Sequence, residues 1–286
     1  MAQLLDGKIV AQATKSALKD EVAALRKKHR QGPVLASVAV GTNPAASVYL
    51  KSQSKNAEEL GIGYRLVSLP PDTSKEDLIA EVIKLDSDAS IHGIMIQTPL
   101  PKEIALNEVM GFISARKDAE GMHPENLGKI LLGEARVSPC TAQACMELLR
   151  FYHIKLYGKE VVVVGHSDIV GKPLTLMLLK EFATTTVCHI ATAEAHKLTD
   201  HVAGAEVLIV AVGKPHLIKG SWIKEGAVVI DVGINRLGEA IVGDVEFTEA
   251  QKRASFITPV PGGVGPLTVA ILMRNCVELF KEAVGK

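Results

Sequence analysis

Val161-Val162-Val163-Val164-Gly165-His166-Ser167-Asp168-Ile169-Val170-Gly171-Lys172-Pro173 is the stretch whose reading decides the fold of this chain. Four β-branched apolar residues in succession read as a strand buried on both faces, the pattern of a parallel sheet. The glycine turn after them opens onto a helix expected over Leu174 to Phe182. Gly165 lets the backbone turn sharply and approach a ligand. Gly171 and Pro173 stand where the helix begins, so free N–H groups and the helix dipole can face an anion. The pattern fits a phosphate cradle and, taken alone, fits an ordinary βα turn equally well.

Counting removes three neighbouring motifs. A P-loop has four residues between its first glycine and Gly-Lys-[Ser/Thr]; here five separate Gly165 from Gly171, and Pro173 holds the hydroxyl's place. A nucleophile elbow needs Gly-x-Ser-x-Gly, and Ile169 occupies the last position, so Ser167 reads as a phosphate or backbone hydrogen-bonder. Gly-x-Gly-x-x-Gly is not matched either, which leaves a variant turn of the dinucleotide type.

Outward from this turn, 286 residues give room for about two domains, and 47% hydrophobic content supplies a sizeable core. Lys plus Arg and Asp plus Glu balance at 32 each with no long basic run, so neither nucleic acid nor a membrane surface is the expected partner; a small molecule is. Met1 to Val10 lacks a signal-peptide core and no window approaches a membrane span, so a cytoplasmic protein is expected. Cys140, Cys145, Cys188 and Cys276 form no Cys-x-x-Cys pair and read as buried thiols. The nine histidines show no metal-ligand spacing, and no metal is expected.

Upstream, Ile9 to Arg30 carries a helical apolar stripe, Leu35 to Val40 reads as a strand, and Gly41-Thr42-Asn43-Pro44 breaks it before a helix from Ser47 to Leu60. Tyr49 and Gln53, four apart, share one face of that helix, whereas Lys51 and Lys55 point elsewhere. A strand at Tyr64 to Leu69 and a helix from Ser74, its cap, to Leu85 follow. Gly93 to Ile96 forms a third strand and runs into Gln97-Thr98-Pro99-Leu100-Pro101. Gln97, at the carboxyl end of a strand, is placed to offer an amide to a ligand. Asn107 to Ala115 reads as a helix before the polar turn Lys117-Asp118-Ala119-Glu120-Gly121. Beyond a helix at Ala142 to Tyr152 and the opening strand come Thr185 to His189, Val207 to Val212 and Val228 to Val232, the strands of a Rossmann-type half. Pro259 to Pro266 is a rigid, glycine-exposed loop ahead of an apolar helix from Leu267 to Lys281; it reads as a domain linker or as a backbone surface for a flat ligand.

Six of these segments stand in one order: Val40-Gly41 to Tyr49, Gln97 to Pro101, Lys117-Asp118 to His123-Pro124, Gly165 to Pro173, Asp231-Val232-Gly233-Ile234-Asn235 and Pro261 to Pro266. In that order they resemble the bifunctional methylenetetrahydrofolate dehydrogenase/cyclohydrolase family. The resemblance implies an α/β fold of two lobes: an N-terminal α/β catalytic lobe over residues 1–139, rejoined by the C-terminal helix 267–286, and a Rossmann-type NAD(P)-binding lobe over 140–266. It implies a folate substrate, a nicotinamide cofactor and a homodimer. It implies a catalytic set of Tyr49, Gln53, Gln97 and Glu120, with folate held by Tyr49, Gln97, Pro99, Leu100, Glu120, Pro261, Gly262, Gly263 and Val264. The cofactor would be held by Gly165, His166, Ser167, Ile169, Ile190, Gly213 and Ile234.

Three departures bear on activity. The family's cyclohydrolase step uses a lysine four residues after the tyrosine, and here that residue is Gln53. A neutral amide hydrogen-bonds water but cannot cycle a proton, and Lys51 and Lys55 lie about 160° away around the helix. The expectation is a retained dehydrogenase with weak or absent cyclohydrolase. A fully bifunctional enzyme and a non-catalytic folate or nucleotide binder are the alternatives. Glu120 stands where the family commonly has an aspartate, keeping the charge on a longer stem. Finally, His166 and Ile190 occupy positions where NADP-using members carry Arg or Ser. The poorer phosphate donors favour NAD, while strand two offers no acidic residue to claim the ribose hydroxyls.

Overall fold

The computed structural model describes residues 1–41 and 43–285; Thr42, part of the expected break after the first long strand, lies outside the described residues. Contacts divide the chain into two compact units, Ala13–Cys140 with Val269–Lys286 and Met1–Gln12 with Thr141–Thr268. In chain order the elements are β1 (Gln3–Leu4), α1 (Gly7–His29), β2 (Val34–Val40), α2 (Pro44–Leu60), β3 (Gly63–Leu69), α3 (Lys75–Ser87), β4 (Gly93–Ile96), α4 (Leu106–Met110), α5 (Pro124–Leu131) and α6 (Cys140–Phe151). They continue with β5 (Glu160–Val164), α7 (Gly171–Lys180), β6 (Thr184–Cys188), α8 (Ile190–Glu194), α9 (Leu198–Gly204), β7 (Val207–Val210) and β8 (Val228–Asp231). A hairpin of β9 (Asn235–Leu237) and β10 (Ala240–Val242), then α10 (Phe247–Arg253), β11 (Phe256–Ile257) and α11 (Val264–Val284) complete the chain.

The first unit is built on a three-stranded parallel sheet in the order β3-β2-β4. β2 is central and fully covered from Leu35 to Ala39, whereas β3, at the edge, alternates exposed and half-buried residues. Ala36, Val38, Ile94 and Ile96 of the sheet close on Leu78, Val82 and Leu85, the inward stripe of α3. The Ser74 hydroxyl caps that helix by accepting from the Asp77 N–H at 3.0 Å. The helix expected over 107–115 stops at Met110: Gly111 follows, and the chain turns through bonds from Phe112 N–H to Val109 and Ile113 N–H to Met110.

The second unit is a six-stranded, wholly parallel sheet in the order β1-β11-β8-β7-β5-β6. β5 sits between β6, which follows it in the chain, and β7, which comes later. The connections therefore leave β5 in opposite directions, and the crevice beyond its carboxyl end is the topological switch point of a doubly wound sheet. The four valines of β5 are buried, as their sequence requires. α7 begins at Gly171, three residues before the expected start, and ends at Lys180. One boundary is corrected. Residues 1–12 belong to this unit and not to the N-terminal one, because β1 pairs in parallel with β11 through Gln3–Phe256 and Leu4–Ile257. A two-residue strand carries no periodicity that could reveal this.

The α/β class with mostly parallel sheets is as the sequence implies, and no helix among the described residues is long and apolar enough to cross a membrane. The first unit's core should be sensitive to volume. Leu78 is completely buried, so Leu78→Ala should cost about 2–5 kcal/mol by creating a cavity. Urea unfolding monitored by circular dichroism measures this, and a midpoint equal to that of the unaltered protein would contradict the packing described.

Candidate functional site

Each sheet delivers its polar residues at the carboxyl ends of its strands. In the first unit β4 ends at Ile96 and the chain passes directly to Gln97, whose N–H is held by the Val38 carbonyl at 2.7 Å. Alongside β4 runs 117–119 as a short parallel bridge, with the Ile94 N–H donating to the Lys117 carbonyl and the Ala119 N–H to that of Ile94. This bridge brings Glu120 beside Ile96, whose N–H donates to Glu120 Oε2 at 3.3 Å. Gln97 and Glu120, far apart in sequence, thus share one end of the sheet. Asp118 shapes the turn: its buried carboxylate accepts from the N–H groups of Gly121 (3.0 Å) and His123 (2.7 Å) and from Asn126 Nδ2 (2.9 Å).

α2 brings the remaining pair. Gln53 is 0% exposed, and every polar atom of its amide is answered. Oε1 accepts from Ser37 Oγ at 2.9 Å and Tyr64 Oη at 3.0 Å, and Nε2 faces Met95 Sδ at 3.1 Å and Gln97 Oε1 at 3.5 Å. Tyr49, one turn earlier on the same face, is partly buried. Its hydroxyl is held above the ordinary phenol range, first by burial and then by Cys140, Glu120 and Tyr64. The Glu120 carboxyl is pushed up to about 8, chiefly by burial and next by the charge of Asp118. At neutral pH the site therefore holds an acid in its protonated form, an uncharged phenol and two amides.

Lys51 and Lys55 are exposed on other faces of α2, as the spacing implies. A cavity of about 720 Å³ between α2 and β3 is lined by Lys51 and Tyr64 and reaches Gln97 and Pro99. Leu100, expected at the folate, packs half-buried against the α3 core. Ser37, Tyr64 and Met95 were not legible as site residues. Ser37 alone leaves a trace, as a hydroxyl inside an otherwise apolar strand.

In the second unit the switch point is a backbone-to-backbone contact. Gly165 has φ +123°, and a Cβ there would stand 2.3 Å from the Ala211 carbonyl oxygen; at Gly171 it would meet the Gly165 carbonyl at 2.0 Å. The glycines close the turn on itself and on β7, the shape that a dinucleotide's phosphates need. Ser167 Oγ accepts from the Val170 N–H at 3.2 Å, which makes it a turn-holder. Gly213 lies in a loop held by Asp244, whose carboxylate accepts from the N–H groups of Val212, Gly213 and Lys214 at 2.7, 3.0 and 2.8 Å. No sequence motif marks Asp244. His166 at the end of β5 and His189 at the end of β6 bring their rings to 5.3 Å, so the carboxyl ends of these two strands carry a pair of imidazoles. Ile169, Ile190 and Ile234 are 47%, 63% and 67% exposed. Pro261, Gly262, Gly263 and Val264, expected at the folate, line a cavity of about 190 Å³ in this same unit, with Ile234 and Lys8.

A parallel sheet with a glycine turn at its switch point gives the second unit the form of a dinucleotide-binding α/β module. The comparisons with known proteins agree and go further. Residues 5–120 match the tetrahydrofolate dehydrogenase/cyclohydrolase catalytic domain, and residues 139–284 match that family's NAD(P)-binding domain. The bifunctional protein FolD of Geotalea uraniireducens is 49% identical over 283 residues, spanning 99% of this chain and 100% of that one. Among solved structures, the bifunctional FolD methylenetetrahydrofolate dehydrogenase/cyclohydrolase of Campylobacter jejuni is 42% identical with a TM-score of 0.94, covering 99% of both chains. FolD of Trypanosoma brucei, solved with NADP and an inhibitor, is 39% identical with a TM-score of 0.95, covering 100% of this chain and 99% of that one. The chain belongs to the tetrahydrofolate dehydrogenase/cyclohydrolase family.

The elevated Glu120 carboxyl has a signature in stability. Its folded pKa of about 8 lies above the ordinary 4.5, so the native state holds the proton more tightly than the unfolded chain does. That stabilisation is complete below pH 4.5 and is lost as pH rises through about 8. Glu120→Gln should remove this part of the decline, and urea titrations at pH 5 to 9 should show the difference between variant and parent changing across that window. A pH-independent difference would contradict a half-buried Glu120 with a raised pKa.

Proposed function

We propose that this chain oxidises 5,10-methylenetetrahydrofolate to the methenyl form by hydride transfer to a nicotinamide cofactor, and that it hydrolyses the methenyl product to 10-formyltetrahydrofolate slowly or not at all. The carrying observation is the Gln53 amide, completely buried and bonded to uncharged partners only. The nicotinamide, when bound, accepts the hydride, so the protein's own work in the first reaction is alignment, which neutral groups can perform. Tyr49 would position the folate, Gln97 would point its amide at the reacting atoms, and Glu120 would bind the pterin. Hydrolysis asks for more: water must lose a proton while a ring nitrogen gains one, and Gln53 can do neither.

In this reading residues 13–140 with the end of α11 hold folate. The unit carrying Gly165, His166, Ser167, Ile169, Ile190, Gly213 and Ile234 holds the cofactor. We favour NAD over NADP, since neither His166 nor Ile190 offers the guanidinium that suits a 2′-phosphate, although the T. brucei relative was solved with NADP. The four cysteines, buried and unbridged, suit a reducing cytoplasm, and the family resemblance supports a homodimer.

A second reading, a fully bifunctional enzyme, is favoured by one observation: Lys51 lines the same cavity as Gln97 and could present a cation from the other side. A spectroscopic assay with methylenetetrahydrofolate, carried through to formyl product, separates them. The expected result is hydride transfer with accumulating methenyl product. Formyl product made well above the uncatalysed rate and lost in Lys51→Met would establish the second reading, and folate binding without hydride transfer would indicate a non-catalytic binder.

Cofactor choice is tested by the ratio of kcat/KM for NAD to that for NADP. It should exceed one in the parent and fall by about tenfold or more in His166→Arg, where a bidentate donor replaces imidazole. A large NADP preference in the parent would refute the assignment.

A further inference from the structure

We infer that Tyr64 is a positioning residue: with Ser37 it anchors the Gln53 amide in place, and Gln53 in turn steadies Gln97 in the one orientation that the Thr98 carbonyl dictates. The inference rests on the reading of Gln97 as a group that faces the reacting atoms.

The direction of the relay is set at its far end. A backbone carbonyl can only accept, and the Thr98 carbonyl takes a bond from Gln97 Nε2 at 2.9 Å. Gln97 Oε1 must then face back into the protein, where it needs a donor. Gln53 Nε2 supplies one at 3.5 Å, the same nitrogen also facing Met95 Sδ at 3.1 Å. With Nε2 committed, Gln53 Oε1 must find its donors on the opposite side, and Ser37 Oγ–H and Tyr64 Oη–H both point at it, at 2.9 and 3.0 Å. Rotating either amide by 180° would set oxygen against the Thr98 carbonyl or against Gln97 Oε1, with no water available to the fully buried Gln53 to relieve it. The acceptor-only Thr98 carbonyl therefore selects a single state for two glutamines, and the two hydroxyls, each free to donate, anchor the Gln53 end of it.

Tyr64 reaches this point from an unusual place. It lies on the edge strand β3, whose side chains are otherwise exposed or half-buried, and its ring forms part of the wall of the 720 Å³ cavity while its hydroxyl enters the buried cluster. The hydroxyl is more deprived of water than an ordinary phenol, and burial raises its pKa, so it stays a proton-bearing donor. Ser37 alone would leave Oε1 with one donor and the amide less strongly oriented. Loss of the Tyr64 hydroxyl should therefore loosen Gln97 while leaving the fold in place, since Ser37 and the apolar ring remain.

The test is Tyr64→Phe in the full-length protein, read by two measurements. In spectra of protein labelled with ¹⁵N at glutamine side chains, the NH₂ resonances of both Gln53 and Gln97 should shift or broaden in the variant. Unchanged Gln97 resonances would overturn the relay whatever the activity. In the hydride-transfer assay, kcat should fall by about fivefold with KM for the folate changed less than twofold, and in a Gln97→Ala background the same substitution should cost almost nothing. An equal loss in both backgrounds would show that Tyr64 acts independently of Gln97 and would also overturn the inference. Absence of hydride transfer in the parent would refute the proposed function, and the resonances would still decide the relay.

Discussion

A parallel strand cannot be followed directly by its neighbour; the chain must cross back over the sheet, and every crossover in this molecule leaves strand carboxyl ends together on one edge. The functional architecture follows from that constraint. β4 releases Gln97 at such an edge, and the bridge at 117–119 adds Glu120 next to it. β5 and β7 release Gly165 and Gly213 at the other sheet's edge, where reversal of the winding opens a crevice. Nothing in the local sequences of Gln97 and Glu120 draws them together; the parallel register does.

Legibility in the sequence tracks how local each feature is. The β5 valines and the glycine turn could be read because strand, turn and helix are contiguous and each residue's conformational demand is its own. The Ser74 cap and the stripe of Leu78, Val82 and Leu85 could be read for the same reason. β1, the β9–β10 hairpin and β11 could not: two or three residues carry no period, and their pairing is decided by partners hundreds of positions away or by a turn. Tyr49 and Gln53 were correctly placed on one face by helical spacing, and Gln97 at a strand end by the run of apolar residues before it. What spacing could not supply was the set of partners around Gln53, because Ser37, Tyr64 and Met95 come from three strands whose register becomes known only when the sheet is assembled.

Gln53 also shows what a buried amide asks of its surroundings in place of a charge. An ammonium would bring three donors and a desolvation cost that only strong acceptors could offset. An amide brings two donors and an acceptor, so the surroundings must provide hydrogens as well as lone pairs. Hydroxyls do this without change, because a hydroxyl donates or accepts according to its neighbour. Ser37 and Tyr64 are thus suited to an amide at position 53, and their neutrality keeps this side of the cluster free of titration.

The other side is not neutral in the same sense. Asp118 is committed to backbone and Asn126 donors, and its fixed negative charge adds to burial in holding the Glu120 proton. A protonated carboxyl can both donate and accept, so Glu120 can meet an edge that offers one donor beside one acceptor. The Glu120 side chain is tethered by a bond from the Ile96 N–H at 3.3 Å. Two linked amides and a carboxyl thus gather at one end of the first sheet, each held by partners from neighbouring strands. Alignment is work that neutral groups can do, whereas a proton relay through water asks for a group that titrates, and an amide such as that of Gln53 does not.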